Sequence, residues 1–410
     1  MSPQRLLIRD LAQVASPSGS AAPLRGAALR DVTLIEDGYV LCDEGSIVEV
    51  GRMRDLSVSR DAVEIDGRGL SAVPGLVDCH THACFAGDRV DEFSLRAGGA
   101  SYEELHARGG GILSTVRATR AASASELADR LAEHVAWMRQ AGTTTFEAKS
   151  GYGLDHDTEL AQLRAVADAG GVATWLGAHT LPPEFADAGA AAYVEFLVEE
   201  VLPEAARIAE AADVFLERGA FAVEQARRYL TACRDAGLAL RLHGDQFTES
   251  GAIPLAVELG ARSVDHLEAT GAGGASALAA SDVTGVLLPA SALFLDRPMP
   301  PARALLDGGA AVALATDFNP GSAFCESLPL VCSLAATQMT MAPEEALAAC
   351  TVNAAHVLGR ADLKGRLAPG YDADVVLVSA EDWRHLVYHL GGPVVDTVIA
   401  GGEIAWKRSA

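Results

Sequence analysis

The sequence has little positive charge and few cysteines. Its 32 lysine and arginine residues face 55 aspartates and glutamates, which gives a formal net charge of −23. An acidic surface of this kind repels nucleic acid and anionic membranes, so neither is an expected partner. The seven cysteines are odd in number and include no C-x-x-C pair. This pattern argues against a disulfide framework and favours buried thiols in a reducing compartment.

Long apolar runs are also missing. No stretch of about twenty apolar residues occurs, and the first ten residues carry charges where a signal peptide would have its apolar core. The sequence therefore predicts a soluble, cytoplasmic protein. Half of the 410 residues are hydrophobic and 21% are charged, which is typical of a folded globular chain with a large core.

The central part of the chain alternates apolar, strand-like runs with amphipathic helical stretches, an order typical of parallel βα units. The predicted strands cover residues 73–79, 143–148, 172–178, 212–217, 238–243, 262–266, 283–288 and 311–317. The helical stretches between them include 123–140, where Ser123 and Glu126 have the spacing of a capping box, and 190–211. Eight such units favour an α/β fold in which residues 72–362 form a closed (β/α)₈ barrel of the TIM type.

Both ends of the chain read as short strands separated by turns. Residues 1–71 and 363–410 each contain too few strands to cover both faces of a sheet. We therefore predict that the two ends pair into one small β-sandwich domain beside the barrel.

Polar residues gather at the predicted carboxyl ends of the strands, where barrel enzymes carry their catalytic groups. His80 and His82 end the first strand, and their spacing places both imidazoles on one face. His243 ends the fifth strand and Asp317 the eighth. Three imidazoles and one carboxylate suit one divalent ion, Zn²⁺ or Fe²⁺, so these four residues are the predicted metal ligands.

Two of the strand-end residues are the predicted catalytic groups. A metal of this kind lowers the pKa of a bound water to about 7, which makes hydroxide available at neutral pH. We expect Asp317 to hold the metal and also to accept the proton of that water. His266, at the end of the sixth strand, would polarise a carbonyl or orient the hydroxide.

Four other residues near the strand ends are candidates for the site, and two of them, Arg89 and Lys149, have two possible interpretations. Arg89, in the first strand-to-helix loop, would form a surface salt bridge or clamp a substrate carboxylate bidentately. Tyr152 and His179 follow strands two and three and are further candidates for the site. Lys149 would either carry a carboxyl group that bridges two metals or pair with Glu147.

Longer motifs resemble those of a known enzyme family. The run Pro-Gly-Leu-Val-Asp-Cys-His-Thr-His over residues 74–82 and the closing segment over 365–374 are similar to the amidohydrolase superfamily. Within that superfamily the chain resembles the imidazolonepropionases. The motifs that carry this resemblance lie at residues 98–104, 109–120, 147–154, 176–179 and 315–322. The likeness covers nearly the whole chain.

The resemblance implies a reaction, a cofactor and an assembly. The reaction is hydrolysis of the cyclic amide of 4-imidazolone-5-propanoate, a small anion, to N-formimidoyl-L-glutamate in histidine degradation. The cofactor is one zinc or iron ion held by His80, His82, His243 and Asp317, and the assembly is a homodimer. Family substrate-binding positions map onto Arg89, Tyr152, His179, Asn319, Gly321 and Ser322.

One position departs from part of the family. Some relatives have a glutamate where this chain has Gln246, and glutamine cannot transfer a proton. We expect Gln246 to hydrogen-bond the ring amide, which leaves proton transfer to Asp317 and His266. Asp245 is a less favoured substitute, because its place in the loop is not fixed by the sequence.

Two other functions stay open at this point. The chain could be a deaminase or another cyclic-amide hydrolase, since the metal ligands of the superfamily do not fix the substrate. It could also be an inactive barrel that serves as a binding module, although the intact ligand set argues against this. Product analysis and metal content would distinguish these functions.

Overall fold

The computed structural model describes residues 5–57, 62–99 and 110–409. Most of the motif at residues 98–104 and the first glycine of the run that starts at Gly109 lie outside the described residues. No described helix combines the length and the apolar character needed to span a bilayer.

Both ends of the chain form one sheet of eight strands. These strands are β1 (Leu6–Pro17), β2 (Val32–Asp43), β3 (Ser46–Arg52), β4 (Val63–Asp66), β5 (Ser71–Pro74), β14 (Val375–Val378), β15 (Val395–Ala400) and β16 (Glu403–Lys407). Strand β5 pairs parallel with β1 and antiparallel with β14, so it joins the two ends. The sheet has a hydrophobic cluster of its own, which includes Ile8, Val40 and Val375.

A second sheet of eight parallel strands forms the barrel. In spatial as in chain order, its strands are β6 (Leu76–Asp78), β7 (Thr143–Lys149), β8 (Val172–Ala178), β9 (Ala211–Leu216), β10 (Ala239–Gly244), β11 (Ser263–His266), β12 (Thr284–Leu287) and β13 (Ala311–Leu314). Past the strand ends, the His82 amide donates to the Phe318 carbonyl at 2.9 Å and the Asp317 amide to the His80 carbonyl at 3.0 Å. These bonds bring the first and last strands together. The predicted barrel with a second β structure from both termini is confirmed.

The predicted strand over 73–79 is in fact two strands in different sheets. Strand β5 belongs to the terminal sheet and β6 to the barrel, with Gly75 between them. A Cβ atom at Gly75 would overlap the side chain of Thr144, so only glycine fits where the chain passes between the sheets. Both strands are completely buried. The dipeptide Pro74-Gly75 inside this otherwise apolar run is the sequence signal for the change of sheet.

Helices fill the connections between the barrel strands and extend beyond the last one. The α-helices are Val90–Ala97, Ile112–Ala121, Ala124–Gln140, His156–Asp168, Gly189–Phe196, Leu202–Ala205, Val223–Asp235, Ala252–Leu259, Ala272–Ala279, Pro289–Phe294, Ala302–Asp307, Leu328–Met339, Pro343–Ala349, Val352–Val357 and His385–Tyr388. Short 3₁₀ turns cover Gly26–Arg30, Met53–Asp55 and Pro183–Phe185.

Two of these helices can be compared with the helices predicted from the sequence. Ala124–Gln140 begins with the predicted capping box: the Ser123 amide donates to Glu126 at 2.8 Å, and the Glu126 amide donates to Ser123 Oγ at 3.3 Å. The predicted helix over 190–211 is shorter. It ends at Ala205, and a π turn interrupts it at Leu197–Val201. Pro203 follows that turn and lacks the N–H that a regular α-helix would use there.

Candidate active site

Five side chains from four strand ends meet at the carboxyl end of the barrel. His80 and His82 follow β6, His243 lies in β10, His266 ends β11 and Asp317 follows β13. Each is at most 3% exposed. The Nε2 atoms of His82 and His243 are 3.2 Å apart. Asp317 Oδ1 lies 3.5 Å from His80 Nε2 and 3.6 Å from His82 Nε2.

The donor atoms in this cluster fit a metal ion. His80 Nε2 and Asp317 Oδ2 are buried and have no hydrogen-bond partner among the described residues. An unpartnered buried polar atom costs free energy, so a ligand is expected at this point. The separations of 3.2 to 3.6 Å are close to the ligand-to-ligand distance of roughly 3.4 Å in a tetrahedral zinc site. The cluster can therefore hold a divalent ion.

Two buried carboxylates orient the histidines. His80 Nδ1 donates to Asp265 Oδ2 at 2.6 Å, and His243 Nδ1 donates to Asp213 Oδ1 at 3.0 Å. A carboxylate only accepts, so each Nδ1 is protonated and each Nε2 offers its lone pair to the cluster. Burial raises the pKa of Asp265 to about 6, which still leaves it ionised at neutral pH. Burial, with help from Lys149 and His243, holds the pKa of His80 well below its usual value.

Lys149 joins those two carboxylates from below. Its Nζ lies 2.8 Å from Glu147 Oε1, 2.9 Å from Asp213 Oδ2 and 3.8 Å from Asp265 Oδ2. Burial alone would lower the pKa of Lys149, but the three carboxylates outweigh it and raise the pKa. The side chain is therefore a charged ammonium. Of the two interpretations of Lys149, the structure supports the ion pair.

Glu147 and Arg241 form a further pair of buried charged side chains beneath the cluster. Arg241 Nη1 lies 3.2 Å from Glu147 Oε1, and Glu147 Oε2 accepts the amide of Thr81 at 3.0 Å. Thr81 stands between the two histidines of the first strand end. The carboxylate of Glu147 therefore fixes the backbone that aims His80 and His82.

The two predicted catalytic residues have unusual backbones. His266 has φ 87° and Asp317 has φ 55°, both in the left-handed region. Such a conformation costs of order 1 to 3 kcal/mol for a non-glycine residue and is often found at functional sites. His266 Nδ1 pairs with Glu268 Oε1 at 3.3 Å. Burial opposes but does not outweigh Glu268, so the pKa of His266 is raised, whereas burial raises the pKa of Asp317.

The cluster forms the floor of a cavity of about 950 Å³. All predicted site residues except His80 line this cavity, and His80 lies in the cluster beneath it. The predicted residues in the lining are His82, Arg89, Tyr152, His179, His243, Gln246, His266, Asp317, Asn319, Gly321 and Ser322. The structure thus brings the predicted set together in one place.

Arg89 forms a salt bridge, the first of its two predicted interpretations, and its role as a carboxylate clamp stays a prediction. Its Nε and Nη2 donate to Glu92 Oε2 at 3.0 and 2.8 Å, so it forms a salt bridge. Glu92 Oε1 in turn accepts the amide of Gly111 at 2.9 Å and the hydroxyl of Ser114 at 3.1 Å. A Cβ atom at Gly321 would overlap Arg89 Nη1. Arg89 is thus fixed on one edge by Glu92, and its Nη1 lies beside Gly321.

Tyr152 and His179 form one wall of the cavity, with ring centroids 5.4 Å apart. Burial raises the pKa of Tyr152, so its hydroxyl stays protonated. Burial lowers the pKa of His179 to about 3. His179 Nδ1 donates to the Gly151 carbonyl at 2.9 Å, which leaves Nε2 as an acceptor. The wall therefore offers one hydroxyl donor and one imidazole acceptor.

Gln246 lines the cavity, whereas Asp245 does not. Asp245 Oδ1 accepts the Ser250 amide at 2.9 Å, and its Oδ2 accepts the Thr270 hydroxyl at 3.0 Å. Both oxygens therefore hold the loop. This geometry agrees with the ranking of Asp245 as the less favoured substitute in proton transfer.

Asn319 shapes the loop that ends the eighth barrel unit. Its Nδ2 donates to the Asp317 carbonyl at 2.6 Å and to Ser322 Oγ at 2.8 Å. Its Oδ1 accepts the amides of Gly321 at 2.8 Å and Ser322 at 2.7 Å. The side-chain amide is fully used inside the loop, so Asn319 positions Gly321 and Ser322 beside Arg89.

Sequence reasoning missed several residues that organise the site, among them Asp213 and Glu92. Asp213 orients His243, and its signal was a single carboxylate inside the apolar run Ala211–Leu216. Glu92 fixes Arg89, but a glutamate three residues after an arginine near a helix start is too common to be a signal.

Comparisons with known proteins agree with this geometry. The model of the Amidohydrolase family matches residues 71–405. An imidazolonepropionase of Rubrobacter xylanophilus is 57% identical and aligns over 98% of this chain and 99% of its own length. One from Chloroflexus aggregans is 46% identical over 98% of this chain and 99% of its own length.

Solved structures show the same fold at low identity. Guanine deaminase of E. coli superimposes with a TM-score of 0.71 at 13% identity and covers 99% of both chains. An adenosine deaminase from Xanthomonas campestris gives 0.69 at 19% identity and covers 97% of this chain and 92% of its own. These structures share the architecture, whereas the close relatives define the family. The chain belongs to the amidohydrolase family and, within it, to the imidazolonepropionases.

Proposed function

We propose that this protein hydrolyses the cyclic amide of 4-imidazolone-5-propanoate to N-formimidoyl-L-glutamate, a step of histidine degradation. Membership of the imidazolonepropionases supports a hydrolase that acts on a C–N bond of a cyclic amide. The observation that carries the proposal is the cavity itself. It holds a cluster suited to a metal on its floor and a fixed arginine, Arg89, on its side, so one small anion can reach both.

We propose that His80, His82, His243 and Asp317 hold one divalent ion, zinc or iron. The buried cations Lys149 and Arg241 face four buried carboxylates, those of Glu147, Asp213, Asp265 and Asp317. When bound, such an ion acts as a Lewis acid that makes an attacking water acidic enough to lose its proton near neutral pH.

The protein's own groups would then move the protons. Asp317, whose pKa is raised by burial, accepts the proton of the attacking water and passes it to the departing ring nitrogen. His266 faces the cavity, and its raised pKa favours the protonated form. It donates a hydrogen bond to the ring carbonyl as negative charge develops on the oxygen.

The walls of the cavity would hold the substrate. Arg89 binds the propanoate carboxylate with its Nη1 end. His179 Nε2 accepts a ring N–H, while the Tyr152 hydroxyl and the Gln246 amide complete the polar contacts. Gly321 and Ser322 place the loop backbone next to Arg89.

The experiment that tests this proposal is turnover of freshly made 4-imidazolone-5-propanoate by the wild type and by Arg89→Ala, with the bound metal measured in both. We expect the variant to lose about 100-fold in kcat/KM while it keeps its metal. Arg130→Ala, which removes a surface salt bridge to Glu133 of 2.9 Å, is the matched control and should behave as the wild type. A metallated wild type that leaves this substrate untouched would contradict the proposal.

We also propose a homodimer in the cytoplasm. The resemblance to the family supports the dimer, and the seven free cysteines suit a reducing compartment. Light scattering should give a mass near twice the 42.5 kDa of the chain. A monomer mass at micromolar concentration would refute the dimer.

A further inference from the structure

Three arginines line the cavity outside the set already assigned: Arg96, Arg218 and Arg297. Among the described residues, none of the three forms a salt bridge. The chain has 55 acidic residues against 32 basic ones, and an arginine such as Arg120 pairs with two carboxylates, at 2.9 and 2.7 Å. In so acidic a protein, three cavity arginines without a salt bridge among the described residues indicate a functional role.

Two of these arginines rest on phenylalanine rings. The guanidinium carbon of Arg96 lies 4.5 Å from the ring centroid of Phe294, and that of Arg297 lies 5.4 Å from the ring of Phe247. Phe247 is 42% exposed. A cation–π contact holds a guanidinium without using its N–H donors. Both arginines are therefore held in place with donors to spare.

The three cations come from different connections around the mouth of the barrel. Arg96 lies on the helix Val90–Ala97, seven residues after Arg89. Seven residues make about two helical turns, so Arg96 lies on the same side as Arg89 and about 10 Å further along. Arg218 follows strand β9, and Arg297 follows the helix Pro289–Phe294. Arg96 is partly exposed, and the other two are exposed to solvent.

We propose that Arg96, Arg218 and Arg297 form a cationic rim that draws a small carboxylate anion into the cavity and towards Arg89. The identity of that anion, 4-imidazolone-5-propanoate, rests on the proposed function. With a net charge of −23, the rest of the protein repels it. Local cations within a Debye length of about 10 Å overcome this repulsion and raise the local substrate concentration.

The test compares the ionic-strength dependence of turnover in the wild type, Arg96→Gln, Arg297→Gln and the double variant. At low salt we expect the double variant to lose about tenfold in kcat/KM, with kcat within about twofold of the wild type. At about 0.5 M salt the loss should shrink to less than about twofold, because salt screens the rim. Arg96→Lys with Arg297→Lys keeps both charges and should keep most of the rate.

Arg207→Gln is the matched control. Arg207 is exposed and precedes strand β9, so it lies at the end of the barrel opposite the cavity. The control removes the same charge and should leave kcat/KM unchanged. A double variant that stays within twofold of the wild type at low salt would overturn the rim. A loss that persists at high salt would do the same, because it would report damaged packing.

A binding measurement separates this inference from the proposed function. If the metallated wild type does not turn over 4-imidazolone-5-propanoate, the proposed function fails, and calorimetry with the dicarboxylate glutarate then tests the rim alone. We expect glutarate to bind the double variant at least about fivefold more weakly than the wild type at low salt. Equal affinity would overturn the rim.

Discussion

The floor and the rim of the cavity are built in opposite ways. The floor consists of the histidine–aspartate cluster together with Glu147, Lys149, Asp213 and Asp265 beneath it, all buried and all on barrel strands or just beyond their ends. Asp265 and Asp213 orient His80 and His243, and Lys149 pairs with Glu147 and Asp213. The rim consists of Arg96, Arg218 and Arg297, which lie on the segments that connect the barrel strands. They are partly or fully exposed to solvent and have no ion-pair partner among the described residues.

This difference separates chemistry from recognition. A floor of interlocked buried charges positions a reacting group accurately, but the loss of one partner leaves another unpaired. A rim of independent surface charges acts through its summed field, so each member contributes a small and nearly additive part. We therefore expect large, specific losses from changes in the floor and small, salt-dependent losses from changes in the rim.

The largest effect should come from Asp213→Asn. Asp213 holds His243 Nδ1 at 3.0 Å and Lys149 at 2.9 Å, so its charge both orients a metal ligand and balances a buried cation. We expect metal affinity to fall about 10- to 100-fold, measured by competition with a chelator. Turnover at limiting metal should fall with it.

Asp372→Asn is the matched control for that change. Asp372 pairs with Lys364 at 2.8 Å, but it lies near the terminal sheet, away from the cavity. The control loses the same kind of lysine–aspartate pair and should bind metal as the wild type does. Unchanged metal affinity in Asp213→Asn would show that the floor is not interlocked as described.

A smaller effect should follow Gly321→Ala, which changes the side of the cavity between floor and rim. The new methyl group would overlap Arg89 Nη1 and push the arginine away from its place. We expect KM to rise about tenfold with kcat within about threefold and the metal unchanged. Gly273→Ala is the control, because a Cβ atom there meets nothing within 4 Å. An unchanged KM in Gly321→Ala would rule out Arg89 as the clamp.

The smallest effect concerns pH. Burial lowers the pKa of His179 to about 3, so this imidazole stays neutral from pH 6 to pH 8. His179→Gln should therefore reduce kcat/KM by the same factor at pH 6, 7 and 8. If the ratio of wild type to variant changed more than about threefold across this range, His179 would be titrating, and its role as a neutral acceptor would be wrong.

The residues of the floor were largely predictable from the sequence, because they lie at the ends of strands that the sequence pattern predicts. Parallel strands in a barrel all finish at one end, so His80, His82, His243, His266 and Asp317 could be grouped by position alone. Asp213 was missed although it stands alone in an apolar strand. Its partner, His243, lies on the neighbouring strand, and strand pairing brings them together only in three dimensions.

The rim was not predictable. Arg96 contacts Phe294, which lies almost two hundred residues later in the chain, and no periodicity of the sequence predicts that contact. The roles of loop residues such as Asn319 were also not predictable from the sequence. Its motif predicts a binding residue, which stays a prediction, and its hydrogen bonds show that it also holds the loop, which the sequence did not indicate. Such roles depend on the packing of connections whose conformations local sequence does not determine.

The most direct test of the central claim is hydrolysis of 4-imidazolone-5-propanoate in ¹⁸O-labelled water, with the products identified by mass spectrometry. Ring opening predicts N-formimidoyl-L-glutamate with one ¹⁸O atom in the carboxylate that was the ring carbonyl, and no free ammonia at early times. Release of ammonia with the ring intact would contradict the account and identify a deaminase on the same scaffold.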